Sequence, residues 1–534
     1  MKQITLGREA RESLERGVNK LSEAVASTLG AKGNNVIFQH GKNYFVTKDG
    51  VTVASQVELE DPVENAAAQI VKDASSRTAR DAGDGTTSST VIAAGIIEAA
   101  LRYAKDSGSA MEIKRGIDKA VEDAIEFIDQ IKTSVKGEED IFNIARISGN
   151  NDDKIGNMIA DIYSKVGKEG AIRIEETQMN DTTVDVIEGC QFNSGYISDI
   201  FINNKTKGVA DYKDAAILIT DKIFAESIEE ILPALNLIVE KSNESQKPIP
   251  LLIICGGMEG ETLGSLTINK VRAQMPVVVV KAPEFGVERN EILEDIAILS
   301  GGTFMSEDQG RKIADITLED FGTADRIVVD KYATTIIGRH GEQEAIDERV
   351  ASVEHQMTED REKRLTWRLR KRIATLTGGV GVVYVGGNSE SEMKDYYYRI
   401  EDALAATKAA LEDGYVAGGG VSYLRTSDLL AREESTIQSK DQLIGYQSLL
   451  FGLKKPLKLI CQNAGLNGDS IMEKVLEEKN ANIGYDVLKD EYVDMMQAGI
   501  IDPAKVVKAA IRNAASVAGM LLTTNCVIND KEKK

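Results

Sequence analysis

A glycine-flanked aspartate that runs into five hydroxyl side chains is the part of this sequence best suited to chemistry. Residues 80–90 read RDAGDGTTSST, and the apolar helical pattern VIAAGIIEAAL follows directly at 91–101. Gly83 and Gly85 permit a tight turn and the close approach of a ligand, and the free N–H groups at the start of the next helix favour an anion. The segment therefore fits a phosphate site. It fits an ordinary capped helix as well, because Asp-Gly turns and Thr or Ser caps are common.

Two more aspartates could join Asp84 in such a site. Asp49 stands on a second tight turn, KDG, and Asp402 lies in the helical pattern IEDALAATKAALEDG, which leads into VAGGG at 416–420. Phosphoryl transfer to water needs a held metal ion, donors around the phosphate and a group that orients the water, and carboxylates suit Mg²⁺. The Walker A pattern is absent, and the three histidines are isolated from one another. Any one of these aspartates alone is more typical of a helix cap or a surface charge.

Composition narrows the class of protein. The chain has 534 residues, of which 42% are hydrophobic and 28% charged, and length alone suggests roughly three or four domains. A net charge of −21 argues against a nucleic-acid binder. Four widely spaced cysteines indicate reduced thiols without a zinc or disulfide framework. No secretory leader or membrane-length apolar run stands out, so we expect a cytoplasmic protein that contacts neither nucleic acid nor membrane.

The order of secondary structure along the chain predicts nested domains. The helical spacing of apolar residues predicts helices at 9–30, 63–80, 87–106 and 109–132. Further helices are predicted from 390 to 527. Between these regions, strands such as AAILIT, PLLIICG and PVVVVKA alternate with helices at 226–242, 259–272 and 288–300, which is typical of an α/β domain. We read the basic run at 361–372 as a solvated helix face rather than a contact for nucleic acid or lipid.

Six segments together resemble the group I chaperonins, the bacterial GroEL type of the 60 kDa chaperonin family. They are TLGAKGNNV, TKDGVTVA, GDGTTSSTV, RIEDALAATKAALEDGYVAGGG, YDVLKDEYVDMMQAGIIDPAKV and AASVAGMLLTTNC, in register over nearly the whole chain. The resemblance implies a multidomain α+β protein whose domains are nested by insertion. They would be a mostly helical equatorial ATP-binding domain (1–133 and 414–534), a small α+β intermediate hinge domain (134–188 and 380–413) and an α/β apical domain for substrate and co-chaperonin (189–379).

The implied function is that of an ATP hydrolase that binds non-native polypeptides in a homo-oligomeric ring and promotes their folding through cycles of ATP binding and hydrolysis. A ring-forming ATPase scaffold with reduced or specialised folding activity is the alternative. The implied cofactors are ATP and Mg²⁺, with K⁺ a further candidate. A seven-subunit ring, single or double, and a GroES-type co-chaperonin are the implied partners.

The resemblance also assigns residues. Asp49 and Asp402 would activate the attacking water, and Asp84 would bind the metal. The nucleotide would be held by Thr28, Leu29, Gly30, Lys48, Gly85, Thr86, Thr87, Ser88, Gly419, Asp486, Val487 and Asp502. Non-native protein would bind at Tyr196, Ile200, Phe201, Leu232, Leu235, Leu263, Thr267 and Ile268.

Several positions depart from the family pattern. Ala31 replaces a usual proline, Ile200 a usual aromatic residue, Thr267 a usual aliphatic one and Asp486 a frequent asparagine. The end of the chain, NDKEKK, lacks Gly-Gly-Met repeats. These differences indicate a divergent member.

Overall fold

The chain divides into two compact units, one inserted within the other. The computed structural model describes residues 2–41, 43–103, 109–168, 170–177, 179–359 and 365–530. Unit 1 comprises Met1–Asp161 and Gly387–Lys534, and unit 2 is the continuous segment Ile162–Gly386. The segment 189–379, predicted as a separate α/β domain, lies wholly within unit 2. The finer division into three domains stays a prediction.

The helices follow the predicted order closely. They are α1 (Gly7–Ala26), α2 (Gly50–Gln56), α3 (Pro62–Ala82), α4 (Thr86–Tyr103), α5 (Ala110–Ile131), α6 (Glu138–Ser148), α7 (Asp153–Val166), α8 (Leu232–Ser245), α9 (Gly260–Arg272), α10 (Gly286–Ser300), α11 (Gln343–Glu359), α12 (Thr366–Thr377), α13 (Glu390–Asp413), α14 (Val421–Glu433), α15 (Lys440–Asn463), α16 (Gly468–Glu477) and α17 (Ala504–Thr523). Short 3-10 turns lie at 199–201, 228–230, 307–309, 313–315, 318–320 and 434–436.

Nineteen strands complete the described part of the chain. They are β1 (Lys2–Leu6), β2 (Val36–His40), β3 (Asn43–Thr47), β4 (Ala171–Glu176), β5 (Thr183–Phe192), β6 (Ala210–Thr220), β7 (Ile223–Phe224), β8 (Leu251–Cys255), β9 (Gly257–Met258), β10 (Val277–Lys281), β11 (Phe304–Met305), β12 (Gly322–Val329), β13 (Thr334–Ile337), β14 (Gly379–Val385), β15 (Tyr415–Ala417), β16 (Ile483–Asp486), β17 (Glu491–Asp494), β18 (Ile501–Pro503) and β19 (Cys526–Asp530).

Unit 1 is a helical core with small two-stranded ribbons at its edges. In α5 the buried residues Ile113, Ile117, Ala120, Ala124 and Ile128 recur every three or four positions, so the helix turns one apolar stripe inward. Helix α4 is apolar on most sides and packs against α15 and α17. The ribbons pair β1 with β19, β2 with β3, β15 with β18 and β16 with β17.

Helix α17 alone among the described helices is long and apolar enough to cross a membrane by length and composition. Most of its residues are buried in the core of unit 1. A core helix of this kind passes the same test, so the helix carries no membrane assignment.

Unit 2 is built on one nine-stranded mixed sheet. The strand order is β10-β8-β6-β12-β13-β5-β14-β4, with β11 pairing beside β6. Strands β6, β8 and β10 run parallel. Strand β8, LLIIC, is buried at every residue and β10 at four of five, as expected of parallel strands covered on both faces. The α/β character predicted for this segment is confirmed.

The helix predicted at 226–242 was wrong in detail. The predicted helix 226–242 is a 3-10 turn at 228–230 followed by α8, which begins at Leu232. Pro233 explains the break, because proline has no N–H to donate and is tolerated only in the first turn of a helix.

The basic run is not simply a solvated face. Its residues 361–364 lie outside the described part of the chain. In α12, however, Arg372 is only 5% exposed and its guanidinium donates to both carboxylate oxygens of Asp295 in α10, at 2.7 and 3.0 Å. Arg349 of α11 donates to the same carboxylate at 2.6 Å. The arginine at 372 therefore belongs to a buried ionic cluster that joins three helices.

Candidate nucleotide site

One large cavity in unit 1 collects every residue predicted to hold or hydrolyse a nucleotide. It encloses about 1300 Å³. Its lining includes Thr28, Leu29, Gly30, Lys48, Asp49, Asp84, Gly85, Thr86, Thr87, Ser88, Asp402, Gly419, Asp486, Val487 and Asp502. These residues come from widely separated parts of the sequence, so their convergence is a property of the fold and not of a local motif.

The turn between α3 and α4 brings the segments that carry Asp84 and Asp402 together. Gly83 ends α3 in the left-handed conformation, with φ of 81°. A Cβ on Gly83 would lie 2.4 Å from the Cβ of Ala405, which is in α13 one turn beyond Asp402. Only glycine allows this approach. The absence of a side chain at position 83 thus lets the helix that carries Asp402 lie against the loop that carries Asp84.

Asp49 is fixed at the start of α2. Its carboxylate accepts hydrogen bonds from the N–H groups of Val51 at 3.1 Å and Thr52 at 2.7 Å, which is an N-cap. A Cβ on Gly50 would lie 2.0 Å from Oγ1 of Thr87 in the first turn of α4. A larger residue here would force the Thr87 hydroxyl to turn away, so glycine lets the Asp49 turn pack directly on the phosphate-loop candidate.

The carboxylates of the cavity repel one another and resist ionisation. Partial burial, and then the negative charges of Asp84 and Asp49, raise the pKa of Asp402. Burial and the charge of Asp84 raise the pKa of Asp502 to about 7. Burial likewise raises the pKa of Asp84, although the N–H of Gly85 opposes this shift. A site with this concentration of acidic groups is best suited to a ligand that brings positive charge.

Lys48 supplies a cation at the same cavity. Its ammonium donates to Oδ1 of Asn150 at 3.1 Å and to the carbonyl of Ala31 at 3.3 Å. Burial, followed by the nearby Arg399, lowers its pKa. Asn150 holds a left-handed φ of 64°, which asparagine tolerates better than most residues. The ammonium is therefore held by neutral oxygen atoms and keeps its charge available to an anion.

The far end of the cavity is formed by β15, β18 and the β16–β17 ribbon. Asp502 of β18 pairs with Val416 of β15, and a Cβ on Gly418 would come within 2.9 Å of its carboxylate. The Asp486 carboxylate accepts from the N–H groups of Leu488 at 2.9 Å and Lys489 at 3.3 Å. One oxygen of Asp486 is thus engaged within its own turn, and the contact of this side chain with the nucleotide stays a prediction.

The described residues fit Mg²⁺ held together with a nucleotide better than a metal cage made by protein alone. No group of three His, Cys, Asp or Glu side chains able to hold a metal occurs among them. Mg²⁺ commonly takes one or two carboxylates and completes its coordination with phosphate and water. Asp84 offers such a carboxylate beside the start of α4.

Tyr423 and Arg399 are among the lining residues that the sequence analysis did not single out. Tyr423, in the first turn of α14, is 2% exposed, and Arg399 in α13 donates to the carbonyl of Gly149 and to Asp152. Tyr423 follows three glycines in the sequence, but nothing else in the segment VSYLR at 421–425 indicates a role in the site. The stretch KDYYYR, which contains Arg399, carries no recognisable chemical motif.

The predicted substrate residues lie in unit 2, on and under a partly apolar surface. Ile200, Leu232 and Ile268 are 44, 36 and 52% exposed. Tyr196, Leu263 and Thr267 are partly buried. Three large apolar residues absent from the prediction, Ile223, Val239 and Val271, are also exposed, at 59, 44 and 65%. We call the six exposed side chains together the apolar surface.

Phe201 and Leu235 are not available to a ligand in this conformation. Phe201 is fully buried and Leu235 is 5% exposed, and both belong to the core of unit 2. Their assignment as direct contacts was therefore wrong. Phe201 lies in the 3-10 turn at 199–201 and Leu235 in α8, and each segment packs one face against the core. The sequence alone could not show which apolar residues lie on that face.

Unit 2 also holds a hydroxyl–imidazole–carboxylate chain that the sequence did not predict. His340 Nδ1 lies 2.7 Å from the hydroxyl of Thr323, and its Nε2 lies 3.0 Å from Asp325. All three residues are exposed. Because water surrounds this chain, it lacks the excluded environment in which a nucleophile is activated, and it serves as a surface tie between β12 and the segment after β13.

Comparison with known proteins gives the family. Two crystal structures of the chaperonin gp146 from the bacteriophage EL 2 (Pseudomonas aeruginosa), in the presence of ATP-BeFx, are similar to this chain. Crystal form II matches with a TM-score of 0.77 at 21% identity, and crystal form I with 0.66 at 20%, each match covering 99% of both chains. At this identity the likeness shows the fold. The model of the TCP-1/cpn60 chaperonin family matches residues 21–532, and the chain therefore belongs to the TCP-1/cpn60 chaperonin family.

Proposed function

We propose that this protein is the subunit of an ATP-driven chaperonin, which binds non-native polypeptides in an oligomeric ring and promotes their folding through cycles of ATP binding and hydrolysis. The observation that carries the proposal is the convergence of all the predicted nucleotide residues on one cavity. Membership of the chaperonin family over residues 21–532 supports the same function.

The start of α4 would receive the phosphates. Its first N–H groups have no partner within the helix, and Thr86, Thr87 and Ser88 add hydroxyl donors in the same turn. Lys48 would neutralise phosphate charge from the side of Ala31 and Asn150. Mg²⁺ bound at Asp84 would polarise the terminal phosphate and balance the carboxylates that now repel one another.

Asp49 and Asp402 would orient and deprotonate the attacking water. Asp402 is the better candidate for the base. Burial and the negative charges of Asp84 and Asp49 raise its pKa, so its carboxyl group holds a proton in the empty site and would lose it once Mg²⁺ offset those charges. Asp49 is already bound by two backbone N–H groups, which hold its carboxylate in one orientation. It is thus better suited to position the water than to accept a proton.

The apolar surface of unit 2 would bind the client. Scattered apolar residues are normal on a protein surface, but six large ones on neighbouring elements are unusual for a site that only solvent contacts. Helix α9 carries two of them and packs against the 3-10 turns at 199–201 and 228–230. Apolar segments exposed by an unfolded chain would bury both surfaces at once.

The finer features of the assembly are part of the proposal. They are a seven-subunit ring, single or double, a GroES-type co-chaperonin that acts with it, K⁺ as an additional ion and a cytoplasmic location. The division into equatorial, intermediate and apical domains, with Asp402 in the hinge domain, would couple hydrolysis to domain movement.

Refolding of a chemically denatured test enzyme provides the direct test. We expect recovery of enzyme activity to require this protein, ATP and Mg²⁺ together, and electron micrographs to show closed rings. The variant Ile268→Ser should reduce client binding without changing the rate of ATP hydrolysis, whereas Leu266→Ser would damage the core, since Leu266 is fully buried. ATP hydrolysis without any refolding would instead favour the scaffold alternative.

A further inference from the structure

The carboxylate of Asp49 accepts a hydrogen bond from a threonine side chain in addition to those from the backbone. Thr52, in the first turn of α2, donates from its hydroxyl to Oδ2 of Asp49 at 2.6 Å. The N–H of Thr52 donates to the same oxygen at 2.7 Å, and the N–H of Val51 donates to Oδ1 at 3.1 Å. Thr52 also lines the nucleotide cavity. Its hydroxyl therefore acts on one of the two aspartates proposed to handle the attacking water.

The cap of α2 is complete without this hydroxyl. Asp49 is the N-cap residue, and its side chain already accepts from two backbone N–H groups. In a capping box, the side chain at the third helical position accepts from the N–H of the N-cap residue. Thr47 takes that place here, because its Oγ1 accepts from the N–H of Asp49 at 3.1 Å. Thr52 stands at the third helical position, and its hydroxyl adds a bond that the cap does not need.

A second hydroxyl in α2 shows the more usual arrangement. Hydroxyl groups within helices commonly donate to a backbone carbonyl one turn earlier. Ser55 does so, since its hydroxyl donates to the carbonyl of Thr52 at 2.7 Å. Thr52 directs its own hydrogen to the carboxylate of Asp49 instead. An ionised carboxylate can only accept, so Thr52 is the donor, and a bond to a charged acceptor is stronger than a bond to a carbonyl.

The bonds are divided unequally between the two oxygens of Asp49. A carboxylate offers about two lone pairs on each oxygen. Oδ2 accepts two bonds, both from Thr52, and is fully engaged. From the described part of the chain Oδ1 accepts a single bond, the one from Val51, which is also the longest of the three. The same turn packs on Thr87 of α4 through Gly50. Oδ1 therefore keeps an acceptor position for water beside the proposed phosphate site.

We propose that Thr52 is a positioning residue for ATP hydrolysis, whose hydroxyl engages Oδ2 of Asp49 and so leaves Oδ1 to orient the attacking water. The inference rests on the proposed function, because it presumes that Asp49 holds this water at a bound nucleotide. The water donates one hydrogen bond to Oδ1, and its other proton goes to Asp402. Thr52 acts only through Asp49 and contacts neither the water nor the nucleotide.

The test is a set of substitutions at position 52, assayed by ATP hydrolysis and by calorimetry with ADP and Mg²⁺. Thr52→Val keeps the branched shape and removes the hydroxyl. We expect kcat to fall by about 3- to 30-fold, because one bond to a charged group is lost while two backbone bonds remain. KM and the Kd for ADP should stay unchanged. Thr52→Ser keeps the donor and should retain most of the rate. In an Asp49→Ala background, Thr52→Val should cause no further loss, since the group that it positions is absent.

Ser55→Ala is the matched control. Ser55 is exposed, its hydroxyl bonds within the same short helix, and it is not part of the cavity lining. Its replacement should leave kcat unchanged, and melting temperatures show whether any variant loses its fold. The inference is overturned if Thr52→Val keeps the wild-type kcat, if it raises KM instead, if Thr52→Ser is equally slow, or if Thr52→Val slows the Asp49→Ala protein further. Each of these results leaves the proposed function standing. A folded wild-type protein that hydrolyses no ATP would overturn the proposed function and this inference with it.

Discussion

The replacement Asp402→Asn tests the catalytic part of the proposed function most directly. Asparagine keeps the size of the side chain and removes its ability to accept the proton of water. A positioned general base is typically worth on the order of 10²–10⁴-fold in rate, which corresponds to about 2.7–5.4 kcal/mol in the activation barrier. We expect a decrease in hydrolysis within that range.

Nucleotide binding should not suffer from this replacement. Burial and the negative charges of Asp84 and Asp49 raise the pKa of Asp402 to about 9, so its side chain is already neutral in the empty site at pH 7 and asparagine resembles it. We therefore expect the variant to bind ATP with Mg²⁺ at least as tightly as the wild type. Phosphate release measured under single-turnover conditions, together with calorimetric titration, separates the two effects.

Glu401→Gln is the control for this experiment. Glu401 is the preceding residue of α13 and its charge also acts on Asp402, but it is not part of the cavity lining. Its replacement should change the rate of hydrolysis by no more than a few fold. Hydrolysis by Asp402→Asn within tenfold of the wild type, or an equal loss in Glu401→Gln, would refute the assignment of Asp402 as the base.

Three further predictions concern packing, stability and pH. Gly83→Ala should slow hydrolysis, because its Cβ would lie 2.4 Å from that of Ala405 and would push α13 away, and Ala405→Gly in the same chain should restore part of the rate. Asp295→Asn should destabilise unit 2 by about 3–5 kcal/mol in urea unfolding, since Arg372 and Arg349 would both lose the buried carboxylate between them and Arg372 would keep only the less buried Glu291. Asp502→Asn should raise the melting temperature of the free protein progressively more between pH 5 and pH 8.

The sign of the pH effect follows from the raised pKa of Asp502. The folded protein holds its proton up to about pH 7, whereas an ordinary aspartate loses it near 3.8. The folded state therefore binds more protons than the unfolded state between these values, and stability falls as the pH rises toward 7. Asparagine does not titrate, so a melting-temperature difference that stays flat from pH 5 to pH 8 would contradict the prediction.

Two control variants accompany the predictions for Asp295→Asn and Gly83→Ala. Glu390→Gln breaks the exposed pair with Lys394 and should leave urea unfolding unchanged, in contrast to Asp295→Asn. Ala405→Gly alone should hydrolyse ATP at nearly the wild-type rate. If Gly83→Ala is slowed but gains nothing from Ala405→Gly, the cause is the left-handed backbone at position 83 and not the contact with α13.

The sequence predicted those features that local physics determines. The apolar residues of α5 recur at helical spacing in the sequence, and they form its buried stripe. Helix α13 occupies 390–413 as predicted. The cavity lining was predicted through resemblance to a family, because no local rule could bring Asp84, Asp402 and Asp502 together. Their meeting depends on close approaches such as that of Gly83 to Ala405, which involve partners hundreds of residues apart.

The failures have a common physical origin. Phe201 and Leu235 are apolar residues on segments with both inward and outward faces, and only tertiary packing decides which face is covered. Arg372 belongs to a basic run but is buried, because the carboxylate of Asp295 on another helix accepts hydrogen bonds from its guanidinium.

The nested arrangement of the chain fixes the order in which its parts can be completed during synthesis. Unit 2 is continuous, so all of its sheet has been made once β14 has emerged. The core of unit 1 joins residues from α1 to α5 with others from α15 and α17, and it cannot close until α17 is available. At ~5–20 residues per second, Asp84 would wait on the order of tens of seconds for Asp502. The first helices thus remain without α15 and α17 while the inserted unit is already able to fold. A newly made subunit cannot bind nucleotide fully until its last helix is in place.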